Sequence, residues 1–382
     1  MHRERIRPRD NWQQAVERLG LVYHTPNGQK YWDESVCYRL SSKQVDELEA
    51  ATVELQRICL EAGQFILDHD RMDQLAIPRP AQAIIRQAWN DEPPSIYGRF
   101  DLAYDGRTPP KLLEYNANTP TALLEASVIQ WDWRAEAKPA TDQFNSIHEK
   151  LIAKWTELKR YLKGSPLHFI HMPDMEDLMT VSYLRDTAEQ AGIKTSGMHV
   201  RDLGWNEGDR TFRDLEDQPV RSLFALYPWE WLLQDFAQPI LSTYSQIDWI
   251  EPIWKMLWSN KGLLAILWEM FPRHPNLLEA HLDGPHAMND YVRKPLLARE
   301  GANIALFHNG RPEIVTGGTY GDGPAVCQAA APIPRFDDES GTHFPVFGSW
   351  YVMDQGAAGI GIRESDSPIT DNLSRFVPHY FD

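Results

Sequence analysis

One short segment of the chain combines residue types that bind metals and phosphates. Its sequence, YGRFDLAYDGRTPPKLLEYNANTPT from Tyr97, holds two alternating apolar–polar runs around an Asp-Gly pair. An Asp-Gly pair between two such runs predicts a β-hairpin. Side chains repeat every two residues along a strand, so Arg99 and Asp101 share one face of the first strand. Glu114 and Asn116 share one face of the second strand for the same reason.

Pairing of the two strands around this turn predicts that Asp101 lies opposite Glu114 and Arg99 opposite Asn116, unless the loop shifts the register. Like charges facing each other across a sheet are destabilising unless a cation neutralises them. Two carboxylates and an amide oxygen are ligands suited to Mg²⁺, and the fork of Arg99 suits a phosphate or carboxylate. The hairpin is therefore a candidate magnesium site. The alternative is a surface hairpin whose charges are solvated.

Further motifs occur in a fixed order along the rest of the chain. They are YPWEW from Tyr227, SNKGLLAILWEMFPRHPNLL from Ser259, YVRKPLLAREGANI from Tyr291 and GSWYVMDQGAAGIGIRES from Gly348. Together with RFD, EYN and TPT in the hairpin segment, they resemble the glutathionylspermidine synthase family of ATP-grasp ligases. The resemblance covers essentially the whole chain. It is closest to the short members, acid–amine ligases that lack the amidase domain of the bifunctional synthetase.

The resemblance implies a magnesium and phosphoryl-transfer centre on the hairpin. Asp101, Glu114 and Asn116 match the magnesium ligands of the family. Arg99 matches an arginine that stabilises the charge of the transferring phosphoryl group and of the acyl phosphate. The implied cofactors are therefore ATP and Mg²⁺.

The resemblance also implies nucleotide contacts in the second half of the chain. The residues concerned are Lys261, Lys294, Glu300, Gly301, Gln328, Ala331 and Arg363. Lys294 lies in an apolar run, where an unpaired ammonium would be costly. Glycine in the loop at 300–303 permits close backbone approach to phosphates, and the segment 294–303 is the expected lid. The alternatives are a surface lysine and an ordinary hairpin turn.

On the substrate side, Thr119 and Thr121 stand where the synthetase has small hydroxyl residues near its peptide and polyamine. Glu176 and Asp177 match an acidic pair that holds ammonium groups, although two carboxylates at a helix start also favour the helix dipole. The expected substrates are a small acid, such as a glutathione-like peptide, and a polyamine-like amine. The family carries an aspartate where this chain has Asn118, so the identity of the amine substrate stays open.

The overall charge narrows the class of partner. The chain has 382 residues and a formal net charge of −16, and nucleic-acid binding needs a basic footprint. The charge would suit a cationic substrate, and it also suits any soluble enzyme. No apolar run is long enough to span a bilayer, and Met1 to Asp10 lacks the apolar part of a signal peptide. Three cysteines without metal-binding spacing favour a reducing cytoplasm, and the oligomeric state is not predictable.

The elements that must position these residues can be read from periodicity. Ser41 stands three residues before Gln44, a capping-box spacing, and opens a helix with apolar residues at helical spacing. A second helix is predicted after Thr141. The sequence from Leu167 alternates short strands and helices, 254–271 reads as helical, and the remainder is strand-rich, with a turn at 354–356.

These patterns predict an α+β fold with mixed sheets, and the resemblance makes it ATP-grasp-like, similar to glutathione synthetase. Residues 1–165 would form an N-terminal helical part and the metal-binding hairpin, which contributes to the ATP-grasp core. Residues 166–250 would form a pre-ATP-grasp α/β substrate domain, and residues 251–382 the ATP-grasp nucleotide-binding part.

The function implied is ATP- and magnesium-dependent ligation of a carboxylic acid to an amine through an acyl phosphate. The alternatives are a ligase for a different acid–amine pair and a nucleotide-binding protein without turnover.

Overall fold

The computed structural model describes residues 1–321, 323–371 and 374–382. The helices are α1 (Trp12–Arg18), α2 (Ser42–Asp68), α3 (Arg79–Asp91), α4 (Gln130–Ala137), α5 (Ile147–Leu158), α6 (Met175–Gln190), α7 (Trp229–Thr243) and α8 (Leu263–Met270). A π-helical turn at Glu125–Ile129 leads into α4. Within these ranges, no helix is long and apolar enough to cross a membrane.

The strands of the first half are β1 (His2–Arg5), β2 (Val36–Leu40), β3 (Tyr97–Ala103), β4 (Lys111–Asn116), β5 (Leu167–His171), β6 (Thr195–His199), β7 (Gly204–Asn206), β8 (Thr211–Arg213), β9 (Ser222–Leu226) and β10 (Asp248–Ile250). Those of the second half are β11 (Ala280–His281), β12 (Tyr291–Pro295), β13 (Ala305–His308), β14 (Arg311–Val315), β15 (Ala325–Ala329), β16 (Phe336–Asp338), β17 (Gly341–Val352), β18 (Gly356–Ser365), β19 (Arg375–Val377) and β20 (His379–Phe381).

Three sheets surround the candidate site. The central sheet has the order β19-β18-β17-β3-β4, with β16 beside β17, and its strands pair antiparallel. The parallel sheet has the order β10-β9-β5-β6. The outer sheet has the order β11-β15-β12-β13-β14 and is antiparallel. A further sheet, of the order β1-β2-β20, is mixed, because β1 pairs antiparallel and β20 parallel with β2. The predicted α+β fold with mixed sheets is confirmed.

Helix α2 supports the central sheet. Its N-terminus carries the predicted capping box: the Ser41 hydroxyl accepts from the Gln44 amide, and the Gln44 side chain accepts from the Ser41 amide. Buried residues repeat along one face. On that face the Thr52 hydroxyl lies 2.6 Å from the Ser349 hydroxyl of β17, which fixes the helix against the strand.

Two helical predictions need correction. The segment 254–271 is not one helix, because a 3₁₀ turn at Ile253–Leu257 and α8 are separated by a break around Asn260. The Asn260 side chain accepts from the Gly262 amide (2.9 Å) and donates to the Leu75 carbonyl (2.6 Å). Helix α5 begins only at Ile147, because Asp142 and Asn145 before it form single β-bridges with Phe381 and Gly359.

The predicted segment boundaries at 165 and 250 stay predictions. The central sheet takes β3 and β4 from the first predicted segment and β17 to β19 from the third. The parallel sheet lies between those boundaries in sequence. The two ends of the chain therefore share one sheet around the hairpin.

A buried ion pair joins the start of β3 to the end of β10. Lys255 and Glu251 are fully buried and 2.5 Å apart. The Glu251 carboxylate also accepts from the amides of Ile96 and Tyr97, and Lys255 donates to the Tyr97 carbonyl. Because these bonds satisfy both charges, the pair sets the position of β3 relative to the parallel sheet.

We expect Lys255→Met to lower the free energy of unfolding by about 3–5 kcal/mol, because it leaves the Glu251 charge buried without its partner. Urea unfolding measures this change. The double variant Lys255→Met/Glu251→Gln should recover part of the loss. Equal stabilities of the wild type and Lys255→Met would contradict this account of the pair.

Candidate active site

The hairpin has the predicted register. Asp101 is the strand partner of Glu114 and Arg99 that of Asn116, with an irregularity after Asp101 that absorbs the loop. Arg99 donates to both oxygens of Asp101, at 2.7 and 3.1 Å, and to the Thr121 carbonyl at 2.7 Å. The four side chains thus project from one face of the central sheet.

The neighbouring strand leaves space for the arginine. Gly348 of β17 is the strand partner of Asp101, and a Cβ added to it would lie 2.7 Å from the Cδ of Arg99. The guanidinium also lies 5.6 Å from the ring centre of Trp350. Glycine at 348 therefore lets Arg99 lie across β17 toward its carboxylate partner.

The two facing carboxylates have different charge partners. Glu114 lies 2.7 Å from Lys261. Burial alone would raise the pKa of Glu114, but the ammonium groups of Lys261 and Lys294 outweigh burial and lower the pKa to about 2. Burial raises the pKa of Asp101, and Arg99 opposes that shift without cancelling it. Glu114 is thus held ionised, and Asp101 responds to any added cation.

The donor set fits a magnesium ion. The Asn116 amide nitrogen lies 3.0 Å from an Asp101 oxygen and 3.1 Å from a Glu114 oxygen. Rotation of that amide by half a turn would replace its nitrogen by its oxygen, so all three side chains would present oxygen atoms. Oxygen-only sets that leave room for water and phosphate are what Mg²⁺ takes in proteins.

Two cavities meet at these carboxylates. A front cavity of about 430 Å³ lies between the central sheet, the start of α6 and the loop before β13. A sheet cavity of about 330 Å³ lies between the central and outer sheets. The residues that line both are Asp101, Glu114, Gly301, Val346 and Thr370. A group bound in one cavity would therefore meet a group bound in the other beside the candidate metal ligands.

The sheet cavity has apolar walls and a polar base. Lys294 donates to the Leu113 carbonyl (2.9 Å) and to the Gln328 side chain (2.8 Å), and Gln328 donates to the Leu112 carbonyl (2.9 Å). Burial lowers the pKa of Lys294 to about 8, although Glu114 opposes the shift. The segment from Gln328 to Ala331 lines the cavity beside Ile304 and Leu306. Such walls suit a flat heterocycle with an anionic tail.

The backbone turns at Glu300 and Gly301, within the predicted lid. Glu300 and Gly301 have left-handed backbone angles (φ 55° and 69°), and Gly301 lines both cavities. The Gly301 carbonyl accepts from Thr316 at 2.5 Å, and the Asn303 side chain accepts from the Tyr320 amide at 2.9 Å. These bonds fix the conformation of the loop beside the two cavities.

The break before α8 brings Lys261 to the site from behind the hairpin. Its amide donates to the Leu296 carbonyl at 2.9 Å, and its ammonium donates to the Ala298 carbonyl at 2.6 Å. Lys261 does not line either of the two cavities, but it contacts Glu114, which lines both. Lys261 therefore links the hairpin to the lid.

The predicted substrate residues line the front cavity. Thr119 accepts from Arg299 at 2.8 Å, and Thr121 offers its carbonyl to Arg99. Glu176 and Asp177 lie in the first turn of α6, where the Asp174 side chain caps the Asp177 amide. Burial first, and then the charge of Asp174, raise the pKa of Asp177 to about 8.

Arg363 lines the front cavity on the side away from the start of α6. It donates to the carbonyls of Ser374 and Asp371, at 2.9 and 3.0 Å, and its guanidinium lies 5.3 Å from the ring centre of Tyr31. The Tyr31 hydroxyl donates at 2.7 Å to Glu125, which is 2% exposed. Burial raises the pKa of Glu125 to about 7. A buried acid thus supports the ring on which Arg363 rests.

Sequence reasoning missed the contacts of Arg299 in the front cavity and the Tyr31–Glu125 pair behind its wall. Arg299 donates to Thr119 and to Glu230 (2.9 Å) and lies 5.8 Å from the ring centre of Trp231. The signal was present, because Arg299 precedes the lid glycine and Glu230 and Trp231 belong to the YPWEW motif. The Tyr31–Glu125 pair had no such signal, since its partners are far apart in sequence.

Asn118 lies behind the front cavity. It is 2% exposed and lines a small crevice with Lys261, Ala298 and Arg299. A difference of charge at this position would therefore act first on the lid segment.

Comparisons with known proteins show the family and the fold of the chain. A family model described as glutathionylspermidine synthase preATP-grasp matches residues 3–382. A candidate acid–amine ligase of Haemophilus influenzae is 39% identical over 385 aligned residues, covering 96% of each chain. Trypanothione synthetase of Crithidia fasciculata is 27% identical over 82% of this chain. The bifunctional glutathionylspermidine synthetase/amidase of Escherichia coli is 28% identical over 85% of this chain.

The match spans 52% of the trypanothione synthetase and 57% of the bifunctional enzyme, so the chain corresponds to only part of each. Among solved structures, a glutathione synthetase-like effector from Globodera pallida superposes with a TM-score of 0.56 at 11% identity. That superposition covers 99% of this chain and all of the other. It shows the fold, and the predicted similarity to glutathione synthetase is confirmed.

We expect the stability of wild type relative to Glu125→Gln to fall as pH rises from 5 to 8. The folded pKa of Glu125 is raised, so its contribution is complete below the unfolded pKa, near 4.5, and is lost as pH rises through about 7. The loss is at most about 3 kcal/mol. Urea unfolding at both pH values measures it. Exposed Glu207→Gln is the control, and the same pH dependence in both variants would contradict the assignment.

Proposed function

We propose that this chain, which belongs to the glutathionylspermidine synthase family, is an ATP- and magnesium-dependent ligase that joins a carboxylic acid to an amine through an acyl phosphate. The observation that carries the proposal is the meeting of two cavities at Asp101 and Glu114. A transfer between two bound groups requires this arrangement, with the charge-handling residues at the junction.

ATP would occupy the sheet cavity as a substrate. Its apolar walls and the backbone of the segment 328–331 would hold the adenine, and Lys294 would meet the phosphates. A lysine is a mobile point charge suited to phosphate oxygens. Because Lys294 is buried, its positive charge is costly unless an anionic ligand lies next to it. The loop at 300–303 would cover the triphosphate and exclude water, which matters because acyl phosphates hydrolyse.

Asp101, Glu114 and Asn116 would hold magnesium, which when bound would supply positive charge to the transferring phosphoryl group. Lys261 now neutralises Glu114 and Arg99 neutralises Asp101. With the metal charge present, both cations would be released in part toward anionic substrate oxygens. Arg99, together with Arg363, is then placed to stabilise the acyl phosphate.

The reaction has two steps. A carboxylate oxygen of the acid attacks the γ-phosphorus, forming an acyl phosphate as ADP leaves. The amine first loses its ammonium proton to solvent, and its nitrogen then attacks the acyl carbon. The carbon–oxygen bond to phosphate breaks, and the nitrogen passes one further proton to the departing phosphate as the amide forms. The chain's part is positioning and charge stabilisation, since no residue need bond covalently to substrate.

The amine would bind at the start of α6. Glu176 and Asp177 line the front cavity opposite Arg363, and their carboxylates suit ammonium groups. A polyamine-like amine and a glutathione-like acid are the substrates that the family relationship supports. A different acid–amine pair is the second candidate, favoured by the identity to the Haemophilus influenzae acid–amine ligase over nearly the whole chain. A cytoplasmic location, where ATP is available, is part of the same proposal.

We expect ADP and phosphate release with Mg-ATP only when one acid and one amine are both present. The assay crosses thiol peptides and amino acids with polyamines, and mass spectrometry identifies the amide. Release with one particular pair would name the substrates. Absence of any saturable, magnesium-dependent ATP binding would contradict the proposal.

Asp101→Asn and Glu114→Gln serve as the matched site variants in that assay, and exposed Asp68→Asn as their control. Each site variant should lose at least 100-fold of turnover, on the order of the loss of one transition-state charge contact, while retaining its fold by circular dichroism. Full activity in both site variants would remove the metal assignment.

We expect the KM for the amine to fall about tenfold between pH 6.5 and 8.5. Asp177, whose pKa is raised to about 8, is mostly neutral at the lower pH and becomes an ammonium partner as it ionises. Initial rates at saturating ATP and acid measure the trend. Asp177→Asn should flatten it, and Glu176→Ala should raise KM at every pH. Unchanged KM values in both variants would exclude this pair from the amine site.

A further inference from the structure

The N-terminal segment contributes a residue to the front cavity to which the proposed reaction assigns no role. Tyr23 follows α1 and is half-buried. It lines the front cavity together with the acidic residues at the start of α6 and with Arg363. Tyr23 belongs to none of the sequence motifs that resemble the family. Its place in the cavity follows from the fold alone.

Backbone hydrogen bonds fix the position of Tyr23. The His24 carbonyl accepts from the amides of residues 31–32, at 3.0 and 3.1 Å. On the other side, the Leu21 amide donates to the Val16 carbonyl of α1 at 2.9 Å. Tyr23 thus lies on a short stretch of chain that is tied to a helix before it and to a buried segment after it.

The ring of Tyr23 packs against a second tyrosine. Tyr23 and Tyr31 meet edge to face, with ring centres 5.3 Å apart and planes at 65°. Tyr31 is itself fixed, because its hydroxyl donates to Glu125 at 2.7 Å and its carbonyl accepts from the Phe376 amide at 2.6 Å. A side chain that is held in place before binding loses little conformational entropy when a ligand contacts it.

The hydroxyl of Tyr23 is available to a ligand. Among residues 1–321, 323–371 and 374–382, no side chain or backbone group forms a hydrogen bond with it. A phenol hydroxyl both donates and accepts hydrogen bonds, so it can accept from an ammonium N–H. Burial first, and then the charge of Glu176, raise the pKa of Tyr23. The hydroxyl therefore stays neutral and protonated around pH 7.

The charges near Tyr23 are mainly negative. Among the charged groups that shift its pKa, Glu176 has the largest effect. Asp174 and Glu300 act in the same direction, and the guanidinium of Arg363 opposes them. An aromatic ring beside carboxylates attracts a cation through its face, in addition to the attraction of the carboxylates. An ammonium bound at Glu176 would therefore also meet Tyr23.

Two methionines give the same part of the front cavity an apolar surface. Met172 and Met175 line the cavity, and Met175 is 44% exposed. Methionine side chains are flexible and pack well against irregular apolar surfaces, and a chain of methylenes is such a surface. A free amino acid fits less well, because its carboxylate would lie near those of Glu176 and Asp177.

We propose that Tyr23 is a substrate-binding residue that selects the amine: its ring and hydroxyl bind an ammonium group carried on a methylene chain, beside Glu176. This inference rests on the proposed function, because it takes the start of α6 as the amine site. Tyr31 acts through Tyr23 and is a positioning residue.

The test measures binding of spermidine to the full chain by isothermal titration calorimetry, without ATP or acid, so that no turnover occurs. We expect saturable binding to the wild type. Tyr23→Leu removes the ring and the hydroxyl and should weaken binding about tenfold, the size expected for a cation–ring contact together with a hydrogen bond. Tyr23→Phe keeps the ring and its packing on Tyr31, so its affinity should lie between the two.

Tyr161→Leu is the matched control. It makes the same substitution at an exposed tyrosine that lines neither the front nor the sheet cavity, and it should bind spermidine as the wild type does. Circular dichroism checks that all three variants fold.

Steady-state kinetics separate contact with the amine from support of the cavity wall. Both Tyr23 variants should raise KM for the amine and leave KM for ATP and KM for the acid unchanged. A raised KM for the acid with an unchanged KM for the amine would show that Tyr23 acts on the wall near Arg363, which would overturn the proposal.

Three binding results would also overturn it: no saturable spermidine binding to the wild type, equal affinities of the wild type and Tyr23→Leu, or equal weakening in Tyr161→Leu. Failure of the proposed function looks different. Tyr23-dependent spermidine binding without any ligase turnover would contradict the ligase and leave the amine contact standing. Turnover with an unchanged KM for the amine in Tyr23→Leu would do the reverse.

Discussion

The facing of Asp101 and Glu114 across β3 and β4 is the constraint on which the site depends. Two carboxylates in adjacent strand positions repel each other, and the surrounding structure supplies a cation to each. Arg99 donates two hydrogen bonds to Asp101, and Lys261, in the break before α8, forms an ion pair with Glu114. Because Lys261 is also bonded to Ala298, the charge balance of the hairpin extends into the lid. A bound metal ion would change that balance and with it the contacts of the lid.

The three sheets meet at the hairpin that carries these two carboxylates. The central sheet carries it, the buried Lys255–Glu251 pair joins the start of β3 to the parallel sheet, and Lys294 of the outer sheet donates to a carbonyl of β4. Each neighbouring sheet thus contributes one cavity wall. The carboxylates lie where the two cavities join because the hairpin belongs to the central sheet and is bonded to residues of the other two.

Local signals were enough to predict the parts of the site that are close in sequence. The Asp-Gly turn and the alternation of apolar residues gave the hairpin register, and the Ser41–Gln44 spacing gave the start of α2. Contacts between distant segments were not predictable in this way. The break that orients Lys261 depends on Asn260 reaching Leu75, and the support of Arg363 depends on Tyr31 and Glu125. Periodicity predicts one helix or strand at a time. Each of these contacts joins two or three separate elements, so periodicity does not predict it.

The fold also shows where some of the charges behind the negative net charge lie, which the sequence alone did not. Positive and negative charges lie on different walls of the front cavity. Arg99 and Arg363 come from the central sheet and Arg299 from the predicted lid, whereas a cluster of carboxylates comes from 174–177 at the start of α6. An acid–amine ligation needs this division, because an acyl phosphate is anionic and an approaching amine begins as a cation. In the proposed reaction, both charges placed in one cavity on separate elements would let each substrate be held by its opposite charge until the bond forms. Part of the chain's acidity, at Asp174, Glu176 and Asp177, thus lies at the site proposed for the cationic substrate.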